Sequence, residues 1–426
     1  MSTSVTFNSA HGVMLTSEFF MARRPVLDRE HNLVAHELLF CNVAGADACL
    51  TMIDDERPAP ASVIADVYQH GMGRVIGDLP GILYIDGAAL MSDIFQFLPP
   101  QKVMLEVSGI PQVTATIVQR LVELTRAGFR FVLAVDTDSK IDELLPLIEG
   151  VRIDVSGRDQ AELGRLCRRY GDQQKKLLAE RVDTVEQYKI CHELGFDFFQ
   201  GYYFTKASFL EGKRLWPSQR AIAELLELVA SDAATSVIEH RIKGDISLGL
   251  NLLRLANTPE ISIRRIESLR QVLMLLGRNQ LQSWLRILQK DTPGVSGSGV
   301  VALIVQATTR GKLMELIANK LMPGNRAIAD TGFTVGIMSL MDTAFSMPMA
   351  DLLRQIPVAE EVAEALIGRR GYFGQLLSLV EHTEWPQKND TVLVRAIRDL
   401  NLSYKDLYLL QLTAFEWSDQ AAHHVG

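Results

Sequence analysis

The sequence predicts an α/β barrel followed by an all-helical region. Three observations carry that prediction. Short β-rich runs alternate with amphipathic stretches through the first half. The runs are nearly continuously apolar, which implies a parallel sheet covered on both faces. The alternation stops near Leu215-Trp216-Pro217. Roughly eight strand–helix units in about 210 residues suit a (β/α)8, TIM-like barrel. An open doubly wound sheet is the alternative, and no G-x-G-x-x-G or P-loop is present to favour it.

The predicted strands run in order through residues 34–40, 82–86, 103–107, 129–135, 150–154, 176–180 and 198–202. Between them, stretches such as 113–127 and 185–194 carry apolar residues at helical spacing. Beyond residue 212 that spacing takes over. Ile222, Leu225, Leu226 and Val229 share one face, as do Leu269, Val272, Leu273 and Leu276, with Gly277 expected to cap the second helix. Ile337, Leu340 and Met341 repeat the pattern, residues 291–299 form a loop by composition, and no solenoid period occurs. The expected domains are 1–212 and 213–426.

Composition narrows the function. The chain has 426 residues, 47% hydrophobic and 22% charged, with a net charge of −8. These are globular proportions, and the acidic balance argues against non-specific binding to nucleic acid or anionic lipid. No apolar run approaches the length of a membrane span, and residues 1–16 lack a basic stretch followed by an apolar one, so neither an anchor nor a secretory signal is expected. Four scattered cysteines make no disulfide framework or zinc motif. A cytoplasmic protein is expected.

Several strands end in acids: Asp86, Glu106, Asp154 and Glu180, with Glu37 inside the first. In a barrel the C-terminal strand ends share one mouth. Converging carboxylates repel unless a divalent cation or protons compensate them, which is metal-site logic. The other reading is that these acids cap helices or face water.

These residues resemble known families. Phe20 through Asp28, then His36-Glu37-Leu38-Leu39-Phe40, resembles the start of EAL domains, the cyclic di-GMP phosphodiesterase family, in the variant found in EAL–HDOD proteins. Glu106-Val107-Ser108, the stretch from Leu178 to Thr184, and the stretch from Gly195 to Phe204 resemble its later motifs in order. The stretches Gly244 to Leu248, Asn251 to Asn257, Ile266 to Trp284 and Ala359 to Leu366 resemble an HDOD domain, a relative of HD phosphohydrolases stripped of its catalytic residues.

The resemblance implies a metal-dependent site, and the carry-over shows what survives of it. Glu37, Glu106, Glu180 and Gln200 match the family pattern. Asp86 stands for an asparagine, Arg152 for a lysine, Asp183 for a glutamate, Gly109 for a second acid and Cys41 for a phosphate-gripping arginine. The paired metal-binding aspartates fall on Ala134 and Val135, which cannot ligate; a shifted alignment would bring in Asp136 or Asp138. In the helical half no histidine lies between His240 and His382, so the metal set of an HD hydrolase is missing. Asp245 and Asn257 are expected to cap helices or hold a loop. His423 and His424 read as a tail rather than a metal site, and Trp284 and Trp385 as core or interface anchors.

The expectation is a catalytically inactive signal-transduction protein with no cofactor. It would act by protein–protein contact through the HDOD domain, with a nucleotide in a vestigial pocket of Glu37, Asp86, Glu106, Arg152, Glu180 and Gln200. The alternatives are a cyclic di-GMP effector that binds without hydrolysis, and a weak phosphodiesterase using Mg or Mn. No nucleic-acid or membrane partner is expected. An apolar face of the helical half is expected to serve self-association, forming a homo-oligomer, or to cover the barrel.

Overall fold

The computed structural model describes residues 19–44, 49–52, 72–85, 87–93, 95, 98–107, 113–135, 142–205, 217–256, 266–291, 300–345, 347–356, 358–386 and 391–422. Asp86, Ser108, Gly109, Asp136, Asp138, Trp216, Asn257, His423 and His424 lie outside the described residues, and of Cys41 only the backbone is described.

β1 (Phe19–Asp28) and β2 (Leu33–Ala44) are antiparallel, and β3 (Cys49–Met52) extends β2 as a hairpin. From β2 the sheet continues in parallel through β4 (Gly81–Ile85), β5 (Val103–Val107), β6 (Arg130–Val135), β7 (Gly150–Asp154), β8 (Lys176–Glu180) and β9 (Phe198–Phe199). Pairing of Leu27 with Phe199 and Asp28 with Phe198 returns β9 to β1 and closes the barrel. The expected barrel is therefore observed, with one difference: its first strand runs against its neighbours. The final strand, expected over residues 198–202, is limited to Phe198–Phe199, and Tyr202–Thr205 form a 3-10 turn.

Strand alternation sorts the barrel side chains into two sets. Leu83, Leu105, Phe131, Leu133, Val151 and Leu177 join Leu121, Leu163 and Cys191 of the surrounding helices in the main core. Side chains of opposite parity point inside. Val26, Ile82 and Leu178, with Ala35, Met104 and Phe198, form an apolar floor there. The residues two positions further along β2, β4, β5, β8 and β9 are Glu37, Tyr84, Glu106, Glu180 and Gln200. The interior is thus apolar at one level and charged at the next, toward the strand C-terminal ends.

The antiparallel β1 follows from its connection. Only four residues separate it from β2, too few for the crossover a parallel pair requires. Asp28 accepts from the Asn32 backbone N–H at 2.7 Å and from Asn32 Nδ2 at 2.9 Å, while His31 takes a left-handed φ of 65°. No crossover helix covers β1 as a result.

The helical half covers it instead. Among the described residues from Gln219 to Ala422 every regular element is a helix, with one isolated bridge between Ile266 and Val358. The Tyr404–Ala422 helix lies against β1. Its Gln411 accepts from the Met21 N–H at 3.1 Å and donates to the Met21 carbonyl at 2.6 Å, standing where a neighbouring strand would. Arg23 points outward from β1, pairs with Asp419 at 2.9 Å, donates to the carbonyls of Arg74 and Val75, and lies 4.5 Å over the Phe415 ring. Buried apolar packing is continuous from Phe20 to Phe415.

Local details bear out several expectations and refine one. Asp245 caps the Ile246–Leu255 helix through the Leu248 N–H and also accepts from the Ser218 N–H at 3.0 Å. Trp284 is buried in the core. Gly277 does break the helical path, with φ 66° and ψ 171°, but the Leu269–Asp291 helix resumes beyond it instead of ending.

His36 on β2 faces this junction, 4% exposed, and lines a small cavity with Ala22, Leu33, Gln306 and Phe415. Burial, helped by the Arg23 charge, holds its pKa down at about 3 against an ordinary 6.5. The folded value is depressed, so the contribution of neutral His36 is complete above pH 6.5 and is lost as pH falls toward 3. Between pH 7.5 and 5 the loss comes to about 2 kcal/mol. Urea denaturation of His36→Leu at both pH values is expected to show a pH dependence smaller by that amount; equal slopes in variant and parent would refute the assignment.

Candidate functional site

The charged layer of the barrel is organised by one side chain. Arg152 extends inward from β7 with its side chain 3% exposed. Its Nη1 donates to Glu37 Oε1 at 2.5 Å, its Nη2 lies 2.8 Å from Glu106 Oε2, and Glu180 Oε1 is 3.8 Å from Nη1. Three of the expected acids do converge, and the charge that compensates them is a guanidinium supplied by the chain itself. The sequence reading assigned Arg152 the place of a lysine but not this central role.

Glu37 is held from three sides. Its other oxygen accepts from Gln200 Nε2 at 3.1 Å and lies 3.7 Å from Arg24 Nη1. Arg24 is the direct register partner of Glu37 across β1 and β2. Burial alone would raise the Glu37 pKa, but Arg152 and Arg24 overcome it and hold the carboxyl below its ordinary value. Glu180 goes the other way: burial, with Glu37 and Asp154 adding to it, outweighs Arg152 and raises its pKa. The three converging acids therefore do not shift together: burial raises Glu180, while cations hold Glu37 down. Burial opposes the charge of Arg152, yet Glu106, Glu37 and Glu180 raise its pKa above the ordinary value.

Gln200 is fixed by the turn that follows it. Its carbonyl accepts from the Val182 N–H at 2.9 Å, and the Val182 carbonyl accepts from the Tyr203 N–H at 3.0 Å. Gly201 has φ 152°, and a Cβ there would meet Val182 backbone atoms at 2.3–2.6 Å, so only glycine passes. Asp183, read as a shortened acid of the site, instead fastens this turn by accepting from the Tyr202 N–H at 2.9 Å.

The layer is not an oxygen cage. Mg²⁺ needs close to six oxygen ligands at about 2.0–2.1 Å. Here the guanidinium stands between Glu37 and Glu106, and a metal ion would share the space with a fixed positive charge. Ala134 pairs with Arg152 across β6 and β7 and carries no donor; Val135 is buried with the outward-facing core. Among the described residues no group of three or more His, Cys, Asp or Glu converges to hold a metal. Asp86 belongs to the expected pocket but lies outside the described residues.

Arg24 and Trp385 were not among the expected site residues. Arg24 had a signal: it lies two positions from Val26 on an alternating strand, which fixes its inward direction. Trp385 had none, because it comes from the helical half and reaches the barrel through tertiary packing alone.

The ion cluster yields a stability expectation. Removing one partner of a buried pair leaves uncompensated charge and costs about 3–5 kcal/mol. Arg152→Met should destabilise the chain by that amount in chemical denaturation. Combining it with Glu37→Gln and Glu106→Gln should recover a large part. A neutral Arg152→Met would show that the carboxylates are compensated by something else.

No family model matches the chain. It is 26% identical over 410 residues to Uncharacterized protein YuxH of Bacillus subtilis (strain 168), covering 93% of this chain and 97% of that protein. It is 26% identical over 373 residues to Cyclic di-GMP phosphodiesterase CdgJ of Vibrio cholerae, covering 85% of this chain and 84% of that protein. Among solved structures it is similar to an EAL domain protein from Listeria monocytogenes EGD-e, at 18% identity and a TM-score of 0.36 over 46% of this chain and 94% of that one. Sequence similarity to a cyclic di-GMP phosphodiesterase thus extends across the barrel and the helical half alike.

Proposed function

We propose that the chain is a non-hydrolytic component of cyclic di-GMP signalling, whose HDOD-like helical half contacts a protein partner. Similarity to CdgJ over 85% of the chain supports the signalling context. The observation that carries the non-hydrolytic reading is the Arg152 guanidinium, 2.5 Å from Glu37 and 2.8 Å from Glu106. By their resemblance to the EAL motifs, those are the acids that would hold the metal for attack on a phosphodiester. With the guanidinium between them and Ala134 beside it, Lewis-acid activation of water lacks its cradle.

A second reading has its own support. The mouth retains two cations, Arg152 and Arg24, and buried polar atoms without a hydrogen-bond partner among the described residues: Arg152 Nε, Arg24 Nε and Gln200 Oε1. Such groups favour an anionic, polar ligand held without cleavage. In this reading the mouth binds cyclic di-GMP and the helical half reports it.

Calorimetry and a cleavage assay on the full chain separate these readings. With cyclic di-GMP and either Mg²⁺ or Mn²⁺, no linear dinucleotide is expected above the uncatalysed background. Stoichiometric heat without cleavage selects the binding protein; no heat selects the interaction protein alone. Cleavage that is proportional to protein concentration and abolished in Glu37→Gln would overturn the proposal and return the chain to the phosphodiesterases.

A further inference from the structure

A circuit of contacts joins the barrel mouth to the helical half. Glu37 Oε2 accepts from Gln200 and lies 3.7 Å from Arg24 Nη1. The Arg24 guanidinium carbon is 4.9 Å from the Trp385 ring centroid, and Nη2 donates to the Pro386 carbonyl at 3.3 Å. Trp385 lies against Tyr202, with ring centroids 4.6 Å apart at 31°. Tyr202 is two residues beyond Gln200, which closes the circuit.

The two sides of this circuit differ in firmness. Trp385 ends the Gly371–Glu384 helix, whose Glu384 grips Arg310 at 2.6 and 2.8 Å while Glu381 pairs with Arg310 and Arg369. Glu37 is clamped by Arg152 and Gln200. Arg24 between them is held by long contacts only, and its Nε is buried with no hydrogen-bond partner among the described residues. Its position is therefore a balance between the Glu37 charge and the indole face. A cation over a desolvated indole face is at least as strong as a loosely paired carboxylate, so neither contact fixes Arg24 by itself. A cavity of about 330 Å³, lined by Tyr202, Arg310, Asp342, Arg369, His382 and Trp385, lies beside the aromatic pair and leaves the indole room to shift.

We propose that Arg24 couples occupancy of the barrel mouth to the packing of Trp385, so that an anionic ligand in the mouth releases the junction between the two halves. An entering phosphodiester competes with Glu37 for Arg152 and Arg24. As Arg24 turns toward it, Trp385 loses its cation and its fixed position on Tyr202. The ligand thus makes different contacts in the two states, which is what a coupling requires. The coupling is reciprocal: a partner that binds the released form of the helical half raises the affinity of the mouth by the same factor. The ligand's identity rests on the function proposed above; the coupling itself does not.

The test uses the full chain labelled with 5-fluorotryptophan and observed by ¹⁹F NMR. The sequence has four tryptophans, and the Trp385 line is the one that Trp385→Phe removes. Without ligand, Glu37→Gln and Arg152→Lys are expected to displace the Trp385 line while those of Trp284 and Trp417 stay in place. In an Arg24→Met background the displacement should vanish. Arg152→Lys keeps the charge and serves should Glu37→Gln not fold. An unmoved Trp385 line in a folded variant, or a displacement that persists with Arg24→Met, overturns the coupling. Cyclic di-GMP should displace the same line in the parent protein. Binding measured by calorimetry with no displacement also overturns the coupling. Absence of binding removes the proposed ligand, and the ligand-free variants then decide the coupling by themselves.

Discussion

A parallel barrel strand is covered by the helix that carries the chain to the next strand. A strand joined to its neighbour by a tight turn has no such helix. In this molecule β1 is that strand, and its outer face must be covered from elsewhere. The Gly371–Glu384 and Tyr404–Ala422 helices supply the cover, which is why Met21 and Arg23 reach Gln411 and Asp419, while the inward-pointing Arg24 meets Trp385 at the mouth. The fusion of a barrel to a helical region is therefore a structural dependence. Placing His36 and Arg24 at the junction also sets the chemistry of the mouth within one residue of the interface, because Glu37 follows His36 and opposes Arg24.

Inside the barrel the same economy holds. Three acids one level above an apolar floor would repel one another, and a fixed guanidinium removes the repulsion without a ligand from solution. Arg152 is planar and permanently charged, so it can serve two carboxylates along separate edges. A lysine, as a single point charge, would address the same acids less completely. In this arrangement one oxygen of Glu37 and one of Glu106 are each directed at the same guanidinium.

Much of the barrel was legible in the sequence. Apolar runs at 82–86, 103–107, 150–154 and 176–180 became strands within a residue of their expected bounds, because a strand buried on both faces leaves a strong local signal. The acids Glu37, Glu106 and Glu180 were legible as strand-end charges. Their compensation by Arg152 was not, since parity places a side chain inside a barrel without saying how far it reaches. Gly277 shows the limit for helices: a glycine at positive φ reads as a terminus, yet packing on both sides lets the helix resume. Trp385 was read as a core or interface anchor, but its neighbours Arg24 and Tyr202 lie in distant parts of the chain, and only the closed barrel brings them together.

The two hydrogen bonds between Met21 and Gln411 span 390 residues. Translation delivers Met21 first and Gln411 long afterward. Throughout that interval the first half of β1 has an unfilled hydrogen-bonding edge, because β9 meets it only at Leu27 and Asp28. At about 5–20 residues per second the gap lasts tens of seconds. An open edge of this kind is a template for pairing with another nascent chain. The order of synthesis thus leaves this edge exposed until the Tyr404–Ala422 helix has left the ribosome and Gln411 can fill it.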